Sequence, residues 1–441
     1  MAGLIWGLLG PETLDSERRT RTLGVGASVR SFNDLAVPGL GGIWFGKQLF
    51  LATLGVAIAE RVRAGGKHIQ NIEIANAIEA LACWLTLNSN GWKSDARLRG
   101  ATKMQGKTNL SFAIVRKSGF YVTQPMRMAT VQPLPALGLV EADGNRFNAF
   151  TCSQHGYDFI DALCADYNPC HYSKSVLDCL VNWVRGESVN LASNGKLCGA
   201  LSPLDPMSKG SCEILMERLI QGGSHESQSD KGRRRAILGW MESLRSQPNQ
   251  KLTWDNKPPH SDDAHWHDLH AGALFFTVRD VAIRLLDRLE AHIGNQEKPR
   301  LLLDDPIPDS IKPDIQNLRV HAQAFLKQRH KDELANAFCG ECVDEKDGTL
   351  LASLVGRDER VLRHRDSTVL PGPAFRGTPT QASDADQTMS GEMETSITGA
   401  IGWPEGISHR VRNLFLLNAD LHGELPKWFG ETDTASSGDD Q

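Results

Sequence analysis

Two apolar runs set back to back near the start of the chain limit what it can fold into. From Ile43 to Arg63 apolar residues are nearly continuous, and Gly65-Gly66 stops them. A helix that is apolar all round has to be buried on every side. Asn71 to Leu87 follows, with Ile72, Ile74, Ala75, Ile78, Leu81, Ala82 and Leu85 at helical spacing on one wide face. Helices this apolar need other helices to cover them, so the sequence predicts a mainly α protein. The longest uninterrupted apolar run, Leu49 to Ala59, is bounded by Lys47 and Glu60 and falls far short of the roughly 20 residues that span a membrane. No membrane partner is expected.

At 441 residues the chain exceeds what one hydrophobic core supports, which predicts a multi-domain protein. Linker composition places the boundaries as follows: a helical domain over 1–104, an α+β module over 105–165, a second helical domain over 166–298, an α/β domain over 299–430 and an acidic tail over 431–441, expected to be disordered. The nine cysteines are an odd count scattered from Cys83 to Cys342, unlike a secreted disulfide framework. Met1 to Gly10 is apolar but lacks a preceding Lys or Arg and a small-residue cleavage site, so it does not read as a signal peptide. The expected location is cytoplasmic.

A formal net charge of −5 argues against a uniformly basic protein that coats nucleic acid. Any such contact has to use a local patch, and one stretch fits. No Asp or Glu lies between Asp95 and Glu141, yet Arg97, Arg99, Lys103, Lys107, Arg116, Lys117 and Arg127 all do. Cations without nearby carboxylates form the footprint of a polyanion-binding face. Within this stretch Thr123-Gln124-Pro125 predicts a helix start with Pro at the first helical position. A short helix over Met126 to Gln132 is expected to end at Pro133 and Pro135. Leu137 to Glu141 is expected to pair with Asn145 to Cys152 around Asp143-Gly144, a hairpin-favouring dipeptide. Helical spacing resumes over Tyr157 to Leu163, after Gly156.

A Leu-Gly-Leu-Val strand, a Gly-containing turn, a second strand and a Gly-led helix together resemble the wing of a winged helix-turn-helix domain, over about 105–165. Pro133 and Pro135 stand where that family has an uninterrupted helix. The resemblance implies that the helix before the wing meets a DNA groove and the wing meets the backbone. Gln124 and Arg127 would then lie on the helix, with Asn145 and Arg146 at the wing tip. The expected nucleic-acid contacts are Arg97, Arg99, Lys103, Lys107, Arg116, Lys117, Arg127, Asn145 and Arg146, and the expected partner is DNA.

A second candidate lies at His260, Asp262, Asp263, His265, His267, Asp268 and His270. His265, His267, Asp268 and His270 resemble the His-x-His-x-Asp-His signature of metallo-β-lactamase-type hydrolases, with the Asp displaced by one place. These residues offer ligands for a divalent metal. They also read as a polar loop leading into a helix over Ala271 to His292, whose apolar face runs from Leu274 to Leu289. Elsewhere, Gly24 to Ser28 lacks the ending of a phosphate-binding loop. Arg233, Arg234 and Arg235 open a helix against its dipole, which predicts either an anionic partner or a solvated charge run. Ile315 to Cys339 reads as one helix. Cys339-Gly340-Glu341-Cys342 has no second pair to complete a zinc ribbon. Leu350 to Val355 and Val361 to Val369 read as a small α/β unit, with Arg357, Arg360, Arg363, His364 and Arg365 between and around them.

Three functions follow as expectations. The first is a non-catalytic DNA-associated protein without a cofactor, whose texture suggests an accessory component of an anti-phage or mobile-element system. The second is a structural subunit of a larger assembly with other protein subunits as partners. The third is a metal-dependent hydrolase or nuclease that uses the His260–His270 cluster.

Overall fold

The computed structural model describes residues 20–144, 146–167, 175–187, 191, 195–247, 251–258, 261–377, 383–384 and 401–428. The fold is mainly helical, with sheets of two and three strands. It divides into two compact units. One takes the described residues up to Ser28 and from Leu274 to Asp384; the other takes Val29–Ala273 and the described residues from 401 onward.

The larger unit is built on the two apolar runs. They fold as the helices Gly46–Ala64 and Asn71–Ser89, which pack against each other. Gly55 makes the contact close: a Cβ there would stand 2.6 Å from the Ala75 Cβ, so only glycine lets the backbones approach this far. The elements of 105–165 share one continuous core with these helices, as do Val176–Arg185, Lys209–Gln221, Gln228–Arg245 and His409–Leu421. The boundaries expected at 104 and 165 fall inside this core, and the one expected at 298 falls inside the smaller unit. The expected acidic tail, 431–441, lies outside the described residues.

The hairpin forms. Val140–Ala142 pairs antiparallel with Phe150–Cys152, in the register Val140 to Cys152. A 3-10 turn at Phe147–Ala149 lengthens its loop. The helix Gln154–Cys164 starts directly after it, with the Ser153 hydroxyl accepting from the Gly156 amide. Gly156 is required here because a Cβ would lie 2.2 Å from the Leu139 carbonyl oxygen. Ahead of the hairpin the expected short helix is a 3-10 turn, Met126–Thr130, followed by the four-residue helix Pro133–Ala136. Pro133 and Pro135 and the loss of their N–H donors account for this brevity.

The arginine triplet is neither solvated nor presented to a partner, apart from Arg235. Its helix begins earlier than expected, at Gln228, with Ser227 accepting from the Asp230 amide. That moves the arginines into the second turn, away from the helix dipole's positive end. Arg234 is fully buried and donates to the carbonyls of Leu219 and Pro38 and to the Glu226 carboxylate. Arg233 pairs with Asp268 at 2.7 Å.

The smaller unit contains the helix Asp263–Gly294 from Leu274 onward, then Lys312–Lys327, Glu333–Cys342 and Asp347–Asp358. The single helix expected over 315–339 is broken in two. Asp332 accepts from the Ala335 amide and caps the second helix, and Arg329 just before it has a φ of 54°. The predicted α/β element is present. Leu362–Arg365 and Thr368–Pro371 form a hairpin, and Leu301–Leu302 adds to the other side of Thr368–Pro371. Asp366 and Ser367 both take positive φ, which matches the right-handed twist of the strands they join. At the centre of this unit Arg21 is fully buried. Its guanidinium donates to Asp287 at 2.9 Å, Glu290 at 2.8 Å and Asp358 at 2.5 Å.

Candidate nucleic-acid interface

The basic segment is organised by a carboxylate that the stretch itself does not contain. Glu79 sits on the apolar face of Asn71–Ser89 and is 2% exposed. Its Oε1 accepts from the Met126 amide at 2.6 Å and the Tyr121 hydroxyl at 2.9 Å; its Oε2 accepts from the Arg127 amide at 2.9 Å. Burial pushes the Glu79 carboxyl above the usual range, against the pull of these bonds and of the Arg99 charge. The same burial, with Glu79 beside it, raises the Cys83 thiol to about 12, so it is inert at neutral pH.

The expected DNA contacts separate into two groups around this hub. Arg97 forks onto Asp95, with Nε to Oδ1 at 3.0 Å and Nη2 to Oδ2 at 2.9 Å. Burial works against the Asp95 charge, but the Arg97 bonds win and hold the carboxyl below its usual range. Arg99 donates to the Gln124 carbonyl at 2.9 Å. Lys107 donates to the Phe120 carbonyl at 2.9 Å and lies over its ring at 4.6 Å. Arg116 pairs with Glu73 at 2.9 Å, in a half-exposed bridge. Arg127 donates to Asn76 at 2.7 Å and stacks on Phe147 at 4.8 Å. These five are held by the protein itself. Lys103, Lys117 and Arg146 are exposed, and their side chains have no hydrogen-bond or ion-pair partner among the described residues. Asn145 lies outside the described residues.

Glu73 and Glu79 are invisible in the acid-free stretch itself, because both belong to the preceding helix. A signal was there: a glutamate in the middle of an apolar helical face needs buried donors.

The histidine cluster is not assembled. The helix Asp263–Gly294 starts within it, so His265, His267, Asp268 and His270 stand on a helix and not in a loop. At about 100° per residue, His265 and His267 point to nearly opposite sides. His265 is buried and its Nε2 donates to the Ala36 carbonyl at 3.0 Å; burial pushes its pKa down. His270 stacks on Trp254 with ring centres 5.0 Å apart, and burial lowers its pKa too. Asp268 is engaged by Arg233, and the nearest His267 nitrogen is 3.9 Å from it. Among the described residues no group of three or more His, Cys, Asp or Glu is placed to hold a metal ion. His260 lies outside the described residues. Cys339 and Cys342 are buried, and burial pushes the Cys342 thiol up to about 12.

One buried lysine carried no sequence signal. Lys47 is 2% exposed and donates to the Ala200 carbonyl at 2.7 Å, with its Nζ 5.4 Å from the Phe50 ring centre. Burial lowers its pKa to about 8, while Asp205, Cys164, Asp420 and Cys198 act in the other direction. No family model, curated protein or solved structure matches the chain.

Proposed function

We propose that this protein is a non-catalytic DNA-associated protein that meets the phosphate backbone through Lys103, Lys117 and Arg146. The hairpin Val140–Ala142 and Phe150–Cys152 takes the part of a wing, with Arg146 close to its tip. The observation that carries this reading is the sorting of the cations: these three alone among the expected contacts described keep exposed charge without a partner. The helices ahead of the hairpin are too short to fill a major groove, so the contact proposed is to backbone and carries no base readout.

Binding of mixed-sequence duplex DNA to the full chain at rising salt tests this. Each neutralised phosphate contributes about 0.9 to the slope of log K against log salt, so Lys103→Ala, Lys117→Ala and Arg146→Ala together are expected to reduce it by about 2.7. No retention of DNA at low salt, or an unchanged slope in that variant, removes the reading.

A further inference from the structure

The three-stranded sheet of the smaller unit has one face turned to its own core and one turned to solvent. Val369 and Leu362 are fully buried and Leu301 nearly so. Because side chains alternate along a strand, their chain neighbours point the other way. The pairing sets Arg365 opposite Thr368, Thr368 opposite Leu302, and Arg363 opposite Leu370. Continued by one residue, it sets Arg300 opposite Leu370. The outer face therefore carries two cross-strand rows, Arg300–Leu370–Arg363 and Leu302–Thr368–Arg365. Arg300, Arg363 and Arg365 are exposed, Leu302 keeps 39% of its surface in solvent, and Thr368 and Leu370 between them are half-buried, so among the described residues of this unit the ends of both rows stay open to solvent.

We propose that this outer face is a contact surface for the phosphate backbone of duplex DNA, with Arg300, Arg363 and Arg365 as the phosphate-binding groups. The proposal rests on the reading that the protein associates with DNA, but it uses a different surface. None of the six positions holds a carboxylate. Arg300 and Arg363 have no ion-pair partner among the described residues. Arg365 lies 3.5 Å from Asp366, with side chains 81% and 91% exposed, a geometry that water screens heavily. Asp304 and Asp305 follow the Leu302 row, so the uncompensated positive charge is densest along Arg300 and Arg363. Guanidinium forks match phosphate oxygens two at a time.

Spacing favours a duplex over an acidic peptide. Arg300 and Arg363 stand two strand spacings apart, about 10 Å, on opposite edge strands. A peptide added along Leu362–Arg365 reaches Arg363 and Arg365 and leaves Arg300 unused. A duplex is wide enough to touch both edges. No aromatic residue occupies the six positions, so the face lacks the stacking platform that single-stranded nucleic acid uses.

The test is the binding of a labelled mixed-sequence duplex to the full chain at rising salt, using R300Q/R363Q/R365Q beside the wild type. The expected result is a slope reduced by about 2.7, with an unchanged far-UV circular dichroism spectrum. R300K/R363K/R365K, which keeps the charge and loses the fork, is expected to retain the slope and bind more weakly. It also serves as the folded comparison should the glutamine variant misfold. A wild-type slope in the glutamine variant overturns the proposal while leaving DNA association through Lys103, Lys117 and Arg146 in place. The reverse pattern, loss here and none with those three replaced, upholds this face and removes theirs. Failure of the wild type to bind DNA overturns both. Binding of polyglutamate in place of DNA assigns the face to an acidic protein segment and also overturns the proposal.

Discussion

Replacing Arg21 by alanine is expected to cost about 3–5 kcal/mol of stability, the range for removing one partner of a buried ion pair. The side chain is fully buried, and so are Glu290 and Asp358, two of the three carboxylates it binds. Without it those carboxylates keep their desolvation and lose their counter-charge. Glu290 is held on its other side by the amides of Arg376 and Gly377 at 2.9 and 3.2 Å, so it cannot turn away. Asp358 is the weaker point. Burial raises its carboxyl against the pull of Arg21, and its Oδ1 has no partner among the described residues. The deficit in the variant is therefore expected to shrink as pH falls, because an uncompensated buried carboxyl takes up a proton more readily in the folded than in the unfolded state. Urea unfolding followed by circular dichroism at pH 8 and pH 5 measures both. A loss below about 1 kcal/mol at pH 8 contradicts the account of this network.

Glu79→Ala is expected to have the second large effect, on stability and on the basic segment together. It leaves the Met126 and Arg127 amides and the Tyr121 hydroxyl without their buried acceptor. Each orphaned donor costs about 1–3 kcal/mol before relaxation, and a total of at least about 3 kcal/mol is expected. This carboxylate is one of the ties that pin the segment from Arg99 to Arg127 to the Asn71–Ser89 helix, beside Arg127–Asn76 and Arg116–Glu73, so trypsin is expected to cut it faster in the variant. Arg99 and Arg127 also lose their nearest buried negative charge, and the salt dependence of DNA binding is expected to steepen. Glu79→Gln keeps one acceptor oxygen and is expected to fall between the two proteins. Wild-type stability and cleavage rate in Glu79→Ala sink the account of Glu79 as organiser.

The parts of the fold legible in the sequence were those with local causes. The Gly46–Ala64 and Asn71–Ser89 helices follow from apolar periodicity; the hairpin was legible as a strand pair, but its loop runs on past Asp143-Gly144 through a 3-10 turn, so the register expected from a tight turn there is not the one formed. The mainly α class follows from the same patterns. Arg21 was not legible, because its partners lie 266, 269 and 337 residues away. The candidate interface was half legible. A window free of Asp and Glu in sequence is not one in space: Glu73 and Glu79 come from the helix before it and Asp95 from its edge. The described histidines of the cluster point apart for a geometric reason. Residues that converge in a loop diverge once a helix turns them 100° apart.

The positive charge of the 97–146 segment reaches solvent chiefly at Lys103, Lys117 and Arg146, and DNA is the partner proposed to meet it there. Lysine acetylation of the full chain, resolved by peptide mass spectrometry with and without duplex DNA, addresses both halves at once. Lys103 and Lys117 are expected to react fast in the free protein and slowly in the complex. Lys107, held by Phe120, and Lys47, buried against Ala200, are expected to react slowly in both. Lys107 reacting as fast as Lys103, or Lys103 and Lys117 keeping their rates when DNA is added, would contradict it.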